Sequence, residues 1–198
     1  MGNGGLASNA LKDLTGAPCE LEKLKAKDKE RIWDHLVYCN KHRYIMVAGS
    51  KGAGEIVNKR GIASGHAYTV KGVHVLNKER VLELRNPWGS GKEWNGRWGD
   101  NDRRNWTGAL RRRHHPNGPR NDGRFFMPYE DFLEYFRQLY TCYYEDDYML
   151  SSFKDELESE YIGCWSASLT IPGDYYVILS QEDRRGFYNP NFPTGRIG

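Results

Sequence analysis

The stretch GHAYTVKGVHVLNKERVLELRNPWG, from Gly65 to Gly89, constrains the fold more than any other part of the chain. Two alternating apolar runs flank Asn77-Lys78, so it reads as a β-hairpin with strands over 65–76 and 80–86. Side chains alternate faces along a strand. His66, Tyr68 and Val70 therefore share one face of the first strand; Leu82, Leu84 and Asn86 share one face of the second. Asn86 extends an apolar, buried face, and the central turn brings it back to within a few residues of His66. An imidazole that donates from one nitrogen to an amide oxygen is held in one orientation and one tautomer. Its other nitrogen is then free to take a proton from a thiol and return it to a leaving amine. Asn86 would orient the ring without placing a full negative charge beside it, and a buried Trp88 would shield the bond from water. On the residues alone the plainer reading stays open. A histidine on a strand is more often structural, and Asn86-Pro87 is also simply a strand end before a turn.

The rest of the chain bounds the function class. It has 198 residues, 13% of them aromatic and 28% charged, enough for a folded core. A net charge of +3 does not point to nucleic acid as a partner. No apolar run reaches the roughly 18 residues that cross a bilayer. The N-terminus has no charged-then-apolar leader, and Leu6 stands where a myristoylation motif needs Ser or Thr. Cys19, Cys39, Cys142 and Cys164 form no C-x-x-C pair, so reduced thiols and a cytoplasmic setting are expected rather than a disulfide framework or a zinc site. A short helix is expected over 9–14, capped by Ser8 and stopped by Gly16 and Pro18. An amphipathic helix over 27–41 would bury Ile32, Leu36 and Val37, and residues 44–48 read as a buried strand. Residues 49–54 read as a glycine-rich turn and 89–124 as a long loop packed by Trp94, Trp98 and Trp106. Pro128 would open a helix over 129–139 facing the core with Phe132, Leu133 and Phe136. Beyond the acidic break Glu145-Asp146-Asp147, residues 165–169 and 175–179 alternate like strands.

Several motifs in order then carry a resemblance. They are Gly65-His66-Ala67-Tyr68, Arg85-Asn86-Pro87-Trp88-Gly89, Glu93-Trp94-Asn95-Gly96-Arg97-Trp98, and Phe126 to Phe132 read as FMPYEDF, with Gly4-Gly5 and Ala10 to Gly16 ahead of them. Together, over about residues 4–142, the chain resembles the second half of a calpain protease core. The resemblance implies an α+β fold: a papain-like cysteine protease half-core over 1–144, an antiparallel sheet or half-barrel with flanking helices. Residues 145–198 more weakly resemble the incomplete start of the β-sandwich domain that follows it. It implies that His66 is the general base and acid, Asn86 its orienting partner and Trp88 the shield. In the family the nucleophile lies in the preceding half-core, within a Gln–Gly…Gly–Asp–Cys–Trp motif that this chain lacks. Cys164-Trp165 is a decoy, because Ser159 to Gly163 supply neither the glutamine nor the Gly-Asp. The chain therefore reads as a fragment of an intracellular cysteine endopeptidase that acts on proteins. It would be inactive alone and need the upstream half-core as its partner. A non-catalytic calpain-like binding or regulatory protein is the alternative.

The resemblance also implies calcium in the full-length enzyme, held by oxygen ligands matching Glu93, Asp100 and Asp122. Arg124 replaces the fourth acid and puts a cation where an anion would stand, so binding in this chain is expected to be weak or absent. The run Arg111-Arg112-Arg113-His114-His115 reads as a solvated loop, with phosphate, anionic membrane lipid or zinc as lesser alternatives.

Overall fold

The computed structural model describes residues 5–89, 92–115, 118, 120–152, 166, 168–173 and 175–179. Residues 1–151 form one unit and 152–198 a second. The described residues of the second unit lie in no helix or strand. That corrects the strand expected over 175–179; of the one expected over 165–169, Trp165 and Ala167 lie outside the described residues. Cys164 also lies outside them.

The first unit opens with α1, Ala7–Thr15, which ends where Gly16 takes φ 69° and donates its N–H to the Lys12 carbonyl. Leu6 rather than Ser8 precedes the helix, so Ser8 lies inside it and caps nothing. Strand β1, Cys19–Lys23, was not apparent in the sequence because its short charged pattern, CELEK, has no sustained alternation. A 3-10 turn, Ala26–Asp28, leads into α2, Lys29–His42. This helix buries Ile32, Trp33, Leu36 and Cys39, a stripe one notch away from the expected one, and leaves Val37 exposed.

The sheet is six-stranded and antiparallel, in the order β1-β6-β2-β3-β4-β5. Its remaining strands are β2 Ile45–Ser50, β3 Ala67–Leu76, β4 Glu79–Arg85, β5 Arg124–Pro128 and β6 Phe136–Cys142. The β3–β4 hairpin turns at Asn77 and Lys78, with φ of 49° and 67°. Two left-handed residues in a two-residue loop match the right-handed twist of the strands on either side. Val70 faces Leu84 and Thr69 faces Arg85, with a bulge before Gly72. Gly49 and Ser50 belong to β2 rather than to the expected turn.

Helix α4, Tyr129–Tyr135, is shorter than expected: from Phe136 the chain becomes β6. The helical spacing of Phe132 and Phe136 is real, but residues 136–142 can pair on both sides. β6 bonds β1 on one edge and β2 on the other, and that backbone pairing overrides local periodicity. Leu139, Tyr140, Thr141 and Cys142 are all buried there.

The stretch 89–124 also differs from expectation. It holds helix α3, Gly108–His114, capped by Thr107, whose side-chain oxygen accepts from the Leu110 N–H. A second core cluster of Leu76, Val81, Trp98, Trp106 and Phe126 fixes it to the hairpin. The Trp106 indole N–H reaches the carbonyls of Trp98 and Gly99 at 3.1 and 3.2 Å. His115 stands edge-on to Trp106 and to Phe126, with Nε2 buried and unpartnered. Burial, then the cations Arg124 and Arg111, push His115 down to about 4.

A depressed histidine favours the fold in its neutral form. Its full contribution holds above the unfolded value of 6.5 and is lost as pH falls toward 4. Urea unfolding should therefore show about 2 kcal/mol of destabilisation from this group between pH 7.5 and pH 5. His115→Phe should remove that component while keeping the ring packing; equal acid sensitivity in both proteins would contradict the assignment.

Candidate active site

The hairpin delivers His66 and Asn86 to one point. His66 Nε2 lies 2.9 Å from Asn86 Oδ1, and both residues are buried, at 8% and 1% exposure. The carboxamide is not free to flip. Its Nδ2 donates to the Lys92 carbonyl at 3.3 Å, and its Oδ1 also accepts from the Trp88 N–H at 3.1 Å. Oδ1 is therefore the acceptor, and His66 Nε2 must carry the proton. Behind the pair, the Asn86 N–H donates to the Gly123 carbonyl at 2.7 Å. Gly123 has φ 84°, and a Cβ there would meet the Asn86 backbone carbonyl oxygen at 2.5 Å, so only glycine lets the two segments approach this closely.

The histidine backbone is equally fixed. Its N–H donates to Ser50 Oγ at 2.9 Å, and its carbonyl accepts from the Ser50 N–H at 2.9 Å. Trp88 lies over the imidazole with ring centroids 4.3 Å apart, and Tyr68 meets it edge-on at 5.0 Å. Trp88 was expected to be buried; it is 43% exposed, covering one face of the ring and presenting its other side to solvent. The second imidazole nitrogen, Nδ1, sits 3.2 Å from Glu55 Oε1 on a 60% exposed side chain. A carboxylate only accepts, so that contact is a hydrogen bond only when the ring carries both protons.

No described thiol is positioned to meet Nδ1. Cys142 pairs with Ile45 at one end of β2, whereas His66 adjoins Ser50 at the other. Cys19 is opposite Cys142, and Cys39 contacts His35 from α2. Burial pushes the Cys39 thiol up to about 11, away from nucleophile chemistry.

Glu93, Asp100 and Asp122 lie on the loops beside this pair. Burial first, then Asp100 and Asp122, push Glu93 up; burial and Asp122 do the same to Asp100. Asp100 Oδ1 is buried without a partner. Glu93 and Asp122, however, each engage a backbone N–H, of Gly123 at 2.7 Å and of Arg124 at 2.9 Å. Among the described residues no three acid, histidine or cysteine side chains converge to hold a metal ion. The donor chemistry suits calcium, but the residues as placed do not form its cage. The Arg124 side chain points elsewhere. Its Nε donates to Glu83 Oε1 at 2.6 Å, its Nη2 to the His114 carbonyl at 2.9 Å, and its guanidinium covers Phe126.

The sequence model of the calpain family of cysteine proteases matches residues 2–143. The chain belongs to the calpain family. It is 34% identical over 148 residues to the calpain-type cysteine protease DEK1 of Arabidopsis thaliana, covering 70% of this chain and 7% of that protein. Against the Caenorhabditis elegans calpain clp-4 it is 31% identical over 150 residues, and against the Gallus gallus calpain-2 catalytic subunit 30% over 165 residues. Each match covers 71% of this chain, and 21% and 22% of those relatives. This calpain-family chain thus spans about a fifth or less of the length of these relatives. Its architecture, an antiparallel sheet with flanking helices, is compatible with half of a calpain protease core.

Sequence reasoning missed two residues around the calpain-type pair. Ser50 lay in a glycine-rich stretch read as a plain turn, and Glu55, the residue just after it, carried no signal. It missed a third farther off, Glu83, because a carboxylate on a hairpin strand usually faces water. Burial pushes Glu83 up, but hydrogen bonds from His74 and Arg124 outweigh it and hold the carboxyl at about 2. Arg124→Met should cost about 2 kcal/mol in urea unfolding at pH 7, since it strips a buried carboxylate of its main cation. Adding Glu83→Gln should restore more than half of that loss. A silent single variant would show the pair to be unimportant.

Proposed function

We propose that this chain supplies the general base and its orienting residue to a calpain-type cysteine endopeptidase. The nucleophilic cysteine would come from a preceding half-core that docks against the His66 face. The observation that carries this reading is the 2.9 Å contact from His66 Nε2 to an asparagine oxygen whose orientation two further hydrogen bonds fix. Residues 1–144 would form the His/Asn subdomain, and 145–198 the start of a β-sandwich domain. A cytoplasmic setting and protein substrates belong to the same proposal.

In this reading His66 Nδ1 takes the proton of the incoming thiol. The thiolate attacks the scissile carbonyl carbon, and the imidazolium returns its proton to the leaving amine. Water, activated by the same nitrogen, then hydrolyses the acyl-thioester. Asn86 keeps Nε2–H directed at its oxygen throughout, and Trp88 shields one face of the ring. Glu55 would have to leave Nδ1 before the thiol could approach. Calcium binding by this chain is proposed to be weak or absent, because Arg124 stands where the resemblance places a fourth acid, and Glu93 and Asp122 each engage a backbone N–H.

The alternative is a calpain-like binding protein whose upstream half lacks the cysteine. The retained, hydrogen-bonded pair favours the enzyme, because binding alone has no need of an oriented imidazole. The chain by itself should hydrolyse neither casein nor a peptide substrate. Joined to a half-core carrying the cysteine motif, it should cleave both, and His66→Ala should lower kcat by about 10²- to 10⁴-fold. Turnover by the chain alone that vanishes in His66→Ala would overturn the missing-nucleophile reading. Equal activity of the joined wild-type and His66→Ala proteins would overturn the role of His66.

A further inference from the structure

Cys19 and Cys142 stand directly opposite one another where β1 pairs with β6. Opposed residues in an antiparallel ladder hold their Cα atoms about 4.5–5.5 Å apart, within the roughly 4.4–6.8 Å that a disulfide spans. As directly opposed residues of the ladder, their side chains share one face of the sheet and are immediate neighbours on it. Both are free thiols. Cys142 Sγ also lies 3.4 Å from Thr15 Oγ1, and Cys19 Sγ 3.6 Å from the Ala17 carbonyl. Cys39 is not a competitor. It approaches His35, which contacts Thr141, the residue before Cys142, and successive strand residues point to opposite faces.

We propose that Cys19 and Cys142 form a reversible disulfide site, closed by a low-molecular-weight disulfide such as oxidised glutathione, that staples the edge strand β1 to β6. The Cys19 sulfur, the more exposed of the two, attacks one sulfur of oxidised glutathione. One glutathione thiolate leaves and a mixed disulfide remains. Cys142 sulfur then attacks Cys19 Sγ and expels the second glutathione. The two protein thiols lose two protons and two electrons, and one glutathione disulfide becomes two thiols. Burial, with the contact to Cys142, pushes the Cys19 thiol up to about 12, so closure is slow at neutral pH and quickens as pH rises.

The staple acts at one edge of the sheet. Among the described residues β1 bonds only β6, and α1 rests on these two strands. Thr15 Oγ1 would keep its bonds to the Leu11 carbonyl at 2.7 Å and the Ala17 N–H at 3.1 Å after losing the thiol, so α1 stays seated. The bond would join residues far apart in the chain, which limits the unfolded state strongly.

The test is incubation of the purified chain with oxidised glutathione at pH 8.5, followed by non-reducing peptide mapping and thermal unfolding. The expected result is a Cys19–Cys142 cross-linked peptide as the main product. The unfolding midpoint should rise by about 5 °C or more and return to its starting value with dithiothreitol. Cys19→Ser should abolish both changes. A persistent glutathione adduct on Cys19, a bond involving Cys39 or Cys164, no reaction at all, or closure without a rise in midpoint would each overturn the proposal. The mapping of the wild-type chain decides the pairing even if the variant folds poorly.

Discussion

The carboxamide of Asn86 is the part on which the site depends. It is buried at the end of β4, bound on its nitrogen side by the Lys92 carbonyl and on its oxygen side by two donors. Each bond alone is worth about 1 kcal/mol net, but breaking any one leaves a buried polar group without a partner, which costs more. The imidazole thus inherits its orientation from a group that cannot turn. Pro87 follows at once, so the strand cannot continue, and the chain folds back to place the Trp88 ring on the imidazole.

The backbone of the same asparagine is linked to the acidic loops through one glycine. Gly123 accepts from the Asn86 N–H and donates its own N–H to Glu93. A change in charge or position at the Glu93 carboxylate therefore reaches the backbone of the histidine's partner through two hydrogen bonds that meet at Gly123. Arg124, next along the chain, directs its charge to Glu83 on the neighbouring strand. The two adjacent residues divide the work: one closes on the His66–Asn86 pair and the other locks β5 to β4. The stretch that leads to them from Glu93 is held by Trp98 and Trp106, with the short helix α3 within it.

Much of this was legible because strand alternation is a strong local rule. The period of two from His66 to Val70 and from Leu82 to Asn86, with Asn77-Lys78 between, was enough to bring the two polar residues together. What was not legible depends on partners distant in sequence. Phe136 continues the spacing of α4, yet it starts a strand because β1 and β2 offer backbone bonds on both sides. β1 is too short and too charged to show alternation. The exposure of Trp88 and the contact of Glu55 with the histidine depend on loop geometry that residue type does not encode. Arg124 stands out in the sequence as a misplaced charge, but its destination, Glu83, depends on the register of β4 against β5.

The central claim is that Asn86 dictates the tautomer of His66. Long-range proton–nitrogen correlation NMR on the imidazole, at a pH well above the ordinary histidine range, reads this directly. The account requires the proton on Nε2 in the wild-type chain and a mixture of tautomers in Asn86→Ala. A neutral ring protonated on Nδ1 in the wild-type chain, or an Nε2–H signal unaffected by removal of the carboxamide, would contradict it.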